Sequence, residues 1–527
     1  MPRIRIAGSV VVRAAAFALG ALVPASLFAA SAVVGGGTPA SCTEAAFDTG
    51  IAAINSGGGT LTFNCGAAPH VLLVTAERPL SGQVVIDGGG RITLSGALAT
   101  RIFSVQDQSD VELHDIVLTH GGASAGPGGA VLVAGAGLPG ETVLKLSRSA
   151  IRNSTSSFWG GGIAATNAEV HVLWSSVTGN ESNGGGGGIN LNGGVLVLFE
   201  AEIADNRSGG SGGGVEFWTG ELYMDRSVVD RNTAENVGTP PYGGGMSIRD
   251  LSVASIQSSR FAGNWSRSSG GGLHVWGTTE LYLLQSTFSA NTAFEDVGGG
   301  FAVLAPALVQ ARSLTVEGNV AAAGAGIEVT GGLTLANATL SGNRTTFDTG
   351  GALRNSGAAG LFHVTIAGNF AKTDGGGIHQ FAGGSLELTD VLFSGNIDQF
   401  ENADDCFFQQ APSAMSFSLW PQGSCGNSTA NGNHPNTVVN LPRLALSCAG
   451  SSGLEQTMTR ELPAGSAAVD AGTCILPGLA ADQRGVPRPQ GLSCDIGAVE
   501  RQAPSCNALL LDGFERGTTL AWSDSAP

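Results

Sequence analysis

The stretch FAGNWSRSSGGGLHVW, residues 261–276, contains a phenylalanine three positions before an asparagine, then a polar loop, three glycines and a short run of β-forming residues. A similar Gly-Gly-Gly or Gly-Gly-Ala step, followed by an apolar residue, recurs along the chain with a period of about 26 residues. A unit this short, with no helical period, cannot bury a core alone. Stacked copies bury one continuous core, so the repeat predicts a solenoid.

An asparagine follows each glycine step downstream, and the residue three positions before it is generally apolar, as at Val177, Ile203 and Phe288. A side-chain amide both donates and accepts hydrogen bonds, so asparagines at one corner of stacked coils form a ladder. The predicted ladder consists of Asn153, Asn180, Asn206, Asn232, Asn264, Asn291, Asn319, Asn343, Asn369 and Asn396.

Between the two markers, apolar and polar residues alternate with the period of two that is typical of strands. We therefore predict an all-β fold, a right-handed parallel β-helix (a pectate-lyase-like solenoid), with coils about 4.8 Å apart. An open stack needs covered ends. Phe47, Ile51 and Ile54 predict a short amphipathic capping helix at the N-terminal end, and a disulfide-bearing cap is expected at the C-terminal end.

Residues 1–32 combine arginines, an apolar stretch and an A-x-A arrangement at Ala30 and Ala32, which predicts a cleaved secretion signal. A membrane anchor is the alternative, but the uninterrupted apolar run is too short to span a bilayer comfortably. The chain has eight cysteines, an even number that fits an oxidising compartment.

Position along the chain suggests how the cysteines pair. A Cys42–Cys65 bridge would staple the N-terminal cap, and Cys406–Cys425 would close an excursion after the repeats. The remaining cysteines, Cys448, Cys474, Cys494 and Cys506, are expected to pair among themselves. Proximity favours Cys474 with Cys494, although connectivity does not follow from sequence alone.

The formal net charge of −17 argues against nucleic-acid binding, because that affinity comes from lysine and arginine neutralising phosphates. Neither a Cys-x-x-Cys pair nor a Cys/His zinc spacing occurs. We expect no metal, no cofactor, no transmembrane segment after signal cleavage, and a monomer.

The repeats resemble those of polymorphic outer-membrane proteins, whose hallmarks are a Gly-Gly-Ala-Ile step and Phe-x-x-Asn. Residues 128–131 read GGAV, and Phe-x-x-Asn occurs at residues 261–264, 288–291 and 393–396. The resemblance covers roughly residues 80 to 400. It implies a β-helical surface protein, and several members of that family are adhesins.

A second resemblance lies in GSAAVDAGTCILPGLAADQRGVPRPQGLSCDIGAVE, residues 465–500. It is similar to the module called choice-of-anchor Q, found after β-helices in exported bacterial proteins. Physically, Asp470, Asp482, Arg484, Arg488 and Asp495 are predicted to form a charge network that locks the last coil. An acid–base or Ca²⁺ site is the less favoured alternative, because two arginines beside three carboxylates neutralise rather than attract a cation.

These features divide the chain into six parts. They are a signal peptide at 1–32, an N-terminal cap at 33–79, β-helix repeats at 80–400, a disulfide-closed excursion at 401–460, a choice-of-anchor-Q-like module at 461–500 and a tail at 501–527. The expected location is outside the cell or on the outer surface of a bacterium.

Two residue sets are candidates for function on the predicted outer face. Trp218 and Trp276 lie two coils apart with Arg249 between them, beside Glu216 and His274, and exposed indoles flanked by polar groups suit a glycan. The alternative is that the tryptophans pack against a loop or on each other through Arg249.

A catalytic pair is the other candidate. Asp348 and Asp374 fall on adjacent coils near Arg354, although an aspartate before glycine is also ordinary turn chemistry. The sequence thus predicts an exported binding, adhesion or structural protein that binds an extracellular glycan or a host or neighbouring cell surface. A polysaccharide lyase or glycoside hydrolase is the alternative, and an inert surface spacer the second.

Overall fold

The computed structural model describes residues 30–137, 140–236, 241–421, 424–445, 457–474 and 479–501. Most of the predicted signal peptide and nearly all of the predicted tail lie outside the described residues, as do Cys448 and Cys506. No helix among the described residues is long and apolar enough to cross a membrane.

The chain folds as a parallel β-helix, which confirms the predicted fold class. Fifteen strands stack in parallel register to form one face of the solenoid. They are Ala30–Val34, Gly59–Phe63, Gln83–Ser95, Asp110–Thr119, Val143–Ser147, Ile163–Leu173, Ile189–Phe199, Val215–Asp225, Met246–Gln257, Glu280–Leu284, Leu308–Arg312, Gly332–Ser341, Ala358–Ala367, Ser385–Ser394 and Ala414–Ser416. The stack therefore begins before the predicted repeats and continues beyond them.

A full coil consists of four successive extended segments, which we call legs. The fifteen strands above supply the second leg. The first leg follows the glycine step, the third ends near the ladder asparagine, and the fourth is a short strand before the loop; some strands span two legs. Separate first-leg strands are Arg78–Leu80, Phe103–Val105, Val131–Ala134, Leu273–Val275, Phe301–Val303, Ile327–Val329, Leu353–Asn355, Ile378–Gln380 and Cys406–Phe408. Separate third-leg strands are His70–Leu73, Ala150–Arg152, Ser176–Thr178, Glu202–Ala204, Val228–Asp230, Arg260–Ala262, Thr287–Ser289, Thr315–Glu317, Leu419–Trp420 and His434–Pro435. Fourth-leg strands are Gly122–Ala123, Thr155–Ser156, Glu181–Ser182, Arg207–Ser208, Thr233–Ala234, Trp265–Ser266, Thr292–Val297, Val320–Ala323 and Arg344–Thr345.

Inward side chains of neighbouring coils stack into one apolar core. The rings of Phe261 and Phe288 lie parallel, with centroids 4.8 Å apart, and Phe301 packs on Phe288 at 5.0 Å. All three are fully buried. The position three before each ladder asparagine points into this core, as the repeat predicts.

The asparagine ladder is continuous from Asn180 to Asn396. Each Nδ2 donates to Oδ1 of the asparagine on the next coil at 2.9–3.1 Å, and also to a main-chain carbonyl of the preceding coil. The last amide, on Asn396, donates to Oδ1 of the buried Asp405 at 2.8 Å. Burial raises the pKa of Asp405 to about 6. The ladder thus ends on a carboxyl group that the repeat did not predict.

The prediction of Asn153 as the first ladder residue is wrong by one position. Ile151 pairs with Val177, which aligns Ser154, and not Asn153, with Asn180. The main-chain N–H of Ser154 donates to Oδ1 of Asn180, and the Ser154 hydroxyl accepts from Gly121 N–H. Asn153 is exposed, with φ of 53°. A serine therefore replaces the amide on this coil, and the asparagine beside it makes the left-handed turn.

The predicted N-terminal helix spans Glu44–Asn55 and buries Phe47, Ile51 and Ile54. Its N-terminus is capped by the hydroxyl of Thr43, and 3-10 turns occur at Pro39–Ser41 and Ala430–Gly432. Disulfides join the predicted pairs Cys42–Cys65, Cys406–Cys425 and Cys474–Cys494.

Residues 457–474 and 479–501 pack against the side of the solenoid. Gln483 connects them to it: its Oε1 accepts from the Thr339 hydroxyl at 2.7 Å, and its Nε2 donates to the Leu314 carbonyl at 3.0 Å. Further along, Thr473 N–H donates to the buried carboxyl group of Asp390. The predicted module therefore covers several late coils laterally.

Only the Arg484–Asp482 pair of the charge network predicted within this segment forms as an ion pair. Arg484 donates two hydrogen bonds to Asp482, and both side chains are buried. Arg488 pairs with the buried Glu500, not with an aspartate. Asp470 and Asp495 accept main-chain N–H groups instead, from Ser493 and from Asp470 itself. The network fixes the chain path of the segment.

Candidate functional site

The residues two positions after each glycine step form one continuous row across adjacent first legs. Strand register aligns them in the order Ala164, Asn190, Glu216, Ser247, His274, Ala302, Glu328, Arg354 and His379. They alternate with core residues, so they lie on the outer side of the sheet as predicted. All except Arg354 are nevertheless buried. We call these residues the covered row.

The glycine steps themselves cover this row. Gly270 has φ of +70°, and a Cβ on it would lie 2.7 Å from Cβ of His274. The loop before an earlier turn, that of Gly186, is closer still: a Cβ on Gly185 would lie 1.7 Å from Oε2 of Glu216. Gly270 is therefore needed for its backbone conformation, and both glycines are needed because the backbone passes directly over the covered row.

Glu216 is the most fully partnered acid in the covered row. Its Oε1 accepts from Arg249 Nη2 at 2.7 Å, and its Oε2 accepts from Asn190 Nδ2 at 2.8 Å. Burial raises the pKa of Glu216, while Arg249 and the hydrogen bonds lower it. The carboxyl group is 3% exposed, so it positions Arg249 and does not contact solvent.

Arg249 and the two predicted tryptophans form a second row, two residues further along the first leg. Trp218 pairs in register with Arg249, whose guanidinium lies over the indole with Cζ 3.3 Å from the ring centroid. Trp276 follows on the next coil and is 41% exposed. We call Trp218, Arg249 and Trp276 the tryptophan face. The guanidinium of Arg249 covers the ring face of Trp218, so the expectation that both indoles are free to bind a ligand is wrong. The indole of Trp276 is the exposed one.

His274 lies beneath this region and does not reach its surface. Its ring stacks on Tyr242 with centroids 4.6 Å apart, and it is 2% exposed. Burial, together with Arg249, lowers the pKa of His274 to about 3. Neither ring nitrogen has a hydrogen-bond partner within the described part of the chain. His274 is therefore a neutral, covered imidazole, and its predicted ligand contact would require Tyr242 to move.

A second polar cluster occupies the covered row four to six coils past Trp218. Glu328 Oε1 accepts from Arg354 Nη1 at 2.9 Å, while Oε2 is buried without a partner among the described residues. Burial raises the pKa of Glu328 to about 7, although Arg354 opposes this. The guanidinium of Arg354 lies over Phe381, and His379 stacks on Phe407. This cluster holds an acid that titrates near neutrality.

Asp348 and Asp374, the predicted catalytic pair, lie in the loops beside this cluster. The Asp374 carbonyl accepts from Gly350 N–H, which joins the two loops on adjacent coils. Burial and Arg354 lower the pKa of His379, whereas Asp374 and Asp348 raise it. The structure therefore brings Asp348, Asp374 and Arg354 together around His379.

Sequence reasoning missed two members of these clusters. Glu328 is not among the predicted site residues, although its position in the repeat aligns it with Arg354 on the next coil. Tyr242 is the last residue of the long loop before Gly243. The length of this loop indicated that it could cover the outer face, but not that Tyr242 is the residue that covers His274.

The comparisons with known proteins concern the fold only. No protein-family model and no curated protein matches this chain. The chain is similar to a solved structure of pectate lyase Pel9A, with 13% sequence identity and a TM-score of 0.33, over 86% of this chain and 91% of that one. A likeness at that level carries no argument about activity.

Proposed function

We propose that this protein is an exported β-helix protein that binds an extracellular glycan through the tryptophan face. One observation carries the proposal: the exposed indole of Trp276 lies one coil from the guanidinium of Arg249, which Glu216 holds flat on Trp218. An indole offers an apolar plane to a sugar ring, and a fixed guanidinium offers directed donors to its hydroxyls.

The geometry favours an extended ligand. Residues in register on successive coils are about 4.8 Å apart, so the tryptophan face runs along the solenoid axis. Arg249 is prepositioned by a buried carboxylate and an aromatic ring, which reduces the entropy lost on binding. A polysaccharide chain lying along the coils meets these groups in turn.

Export is supported by the three disulfides, which persist in oxidising compartments. Outside a bacterium, the available glycans are those of the surrounding matrix and of host or neighbouring cells. The proposed role is therefore adhesion or retention at such a surface, and no chemical conversion of the glycan is needed.

An oligosaccharide array tests this proposal. Wild-type protein and Trp276→Ala are applied together with Trp159→Ala, a control whose 50% exposed indole lies against the loop at Gly184, on an earlier coil than Trp276. We expect wild type and the control to bind the same glycans and Trp276→Ala to lose at least tenfold in signal. An equal signal from all three proteins, with equal melting temperatures, would refute the proposal.

A carbohydrate-active enzyme is the second candidate, favoured by the loop aspartates Asp348 and Asp374 beside Glu328 and Arg354. The pKa of Glu328, raised by burial to about 7, suits a general acid, but at 1% exposure this side chain reaches a substrate only if the covering loop moves. Incubation with alginate, polygalacturonate, xylan and galactomannan, followed by assays for unsaturated products and reducing ends, tests it. Product release that Glu328→Gln abolishes would replace the binding proposal. If neither glycan binding nor product release is observed, an inert surface spacer is the remaining interpretation.

A further inference from the structure

A cleft of about 430 Å³ lies at another corner of the solenoid, between the second and third legs of early coils. Its residues include Asp115, Arg148, Trp174, Glu200 and Glu202. The volume is within the range of about 300–1,000 Å³ that is usual for ligand pockets. The cleft is separate from the tryptophan face, which occupies the first legs of later coils.

Small side chains form the floor of this cleft. Ala150 pairs in register with Val117 on one side and with Ser176 on the other. On the coil that precedes Asp115, the corner has glycines, and a Cβ on Gly89 or Gly90 would meet nothing within 4 Å. Space is therefore left open where other coils carry larger groups.

Trp174 forms one wall and is 49% exposed. Its φ of 49° places it in the left-handed region, which a bulky residue adopts only at a cost of about 1–2 kcal/mol. Phe199 packs against it edge to face, with centroids 5.2 Å apart, and Arg226 lies over the Phe199 ring. Arg148, Glu200 and Arg226 have the same left-handed φ at this corner of neighbouring coils, so the conformation belongs to the coil, and the indole is what gives the cleft an aromatic wall.

The polar groups around Trp174 are held by ion pairs, and they include both hydrogen-bond donors and hydrogen-bond acceptors. Arg148 donates to both carboxylate oxygens of Asp115, at 2.9 and 3.0 Å, through Nε and Nη2, and Nη1 takes no part in these bonds. Glu200 lies one coil beyond Trp174, where Arg226 approaches Oε1 at 3.4 Å. A ring resting on the indole thus has donors on one side and acceptors on the other.

We propose that this cleft binds an uncharged sugar ring, stacked on Trp174 with its hydroxyls between Arg148 and the carboxylates of Glu200 and Glu202. Charge selects the class of sugar. Three carboxylates and Arg148 line the cleft, and even with Arg226 beside Glu200 the carboxylates are in excess, so a uronic acid is repelled whereas hydroxyls are accepted. The cleft is independent of the tryptophan face, so a result that refutes one of the two binding proposals leaves the other standing.

Saturation-transfer NMR on the full chain tests this inference with methyl glycosides of glucose, galactose, mannose and xylose, and with galacturonate as the acidic probe. Galacturonate differs from galactose in its carboxylate at C6, so the pair isolates charge. We expect transfer to at least one neutral glycoside and none to galacturonate. Transfer to no neutral glycoside, or equal transfer to the galactoside and galacturonate, would overturn the proposal.

The deciding variant is Trp174→Asn, because asparagine adopts the left-handed conformation readily and should leave the fold intact. We expect at least a tenfold loss of transfer with a melting temperature close to that of wild type. The comparison is made in a Trp276→Ala background, so that sugar bound at the tryptophan face contributes no transfer, and Trp159→Ala in that background should leave the transfer unchanged. Unchanged transfer in a folded Trp174→Asn protein would locate sugar binding elsewhere and refute the cleft, without bearing on the tryptophan face.

Discussion

The side-chain Nδ2 of Asn291 donates to Oδ1 of Asn319 on the next coil at 3.0 Å, and this relationship repeats along the solenoid. Asn291 also accepts at Oδ1 from the main-chain and side-chain nitrogens of Asn264. Each side-chain amide thus forms hydrogen bonds with buried polar groups at the corners of the two neighbouring coils.

Replacing Asn291 by Leu should destabilise the protein by about 1–3 kcal/mol for each polar partner left unpaired, because those groups stay buried. Denaturant unfolding measures the change. The half-buried Thr287, on the outer side of the same coil, is the control, and Thr287→Ala should change stability by less than about 0.5 kcal/mol. Equal losses at both positions would contradict the ladder.

Gly185→Ala tests whether the loops cover the row beneath them. The new Cβ meets the fixed Glu216 carboxylate, so we expect a loss of about 1–3 kcal/mol in unfolding free energy. In a Glu216→Ala background the clash is absent and the penalty should nearly vanish. Gly36→Ala is the matched control, since its Cβ would have no neighbour closer than 4.0 Å. A penalty that persists without Glu216 would mean that the loop lies elsewhere.

Arg249→Met keeps a long side chain near Trp218 but leaves Glu216 buried without its charge partner. Breaking a buried pair in this way costs about 3 kcal/mol. Adding Glu216→Gln removes the unpaired charge and should recover most of the loss, which a double-mutant cycle measures. Additive effects would show that the two side chains act independently.

Glu328 should make stability fall as pH rises. Its folded pKa of about 7 exceeds the usual value near 4.5, so its contribution is complete below pH 4.5 and is lost through pH 7. Relative to Glu328→Gln, wild type should therefore lose up to about 3 kcal/mol between pH 4.5 and pH 8. Glu280→Gln, on an exposed strand position, controls for net charge. Thermal melts across this range are the measurement, and a parallel dependence in wild type and Glu328→Gln would contradict the buried acid.

The fold could be predicted from sequence because the repeat places the same residue type at the same corner many times. The sequence mispredicts one irregular coil, since Asn153 is next to the ladder position and Ser154 makes only the hydrogen bonds of the ladder that involve main-chain N–H groups. The covered row could not be foreseen, because period-two alternation shows which side of a sheet a residue is on but not whether a loop crosses it. The Trp174 cleft was also missed, as it depends on corner conformations that no local pattern in the sequence marks.

The most direct test of glycan binding is affinity electrophoresis of the native protein in gels containing xylan, galactomannan, xyloglucan, polygalacturonate or alginate. We predict that at least one polysaccharide retards wild type and Trp159→Ala equally and retards Trp276→Ala much less. Unaltered wild-type mobility in every gel, or equal retardation of Trp276→Ala, would contradict the proposed role of the tryptophan face.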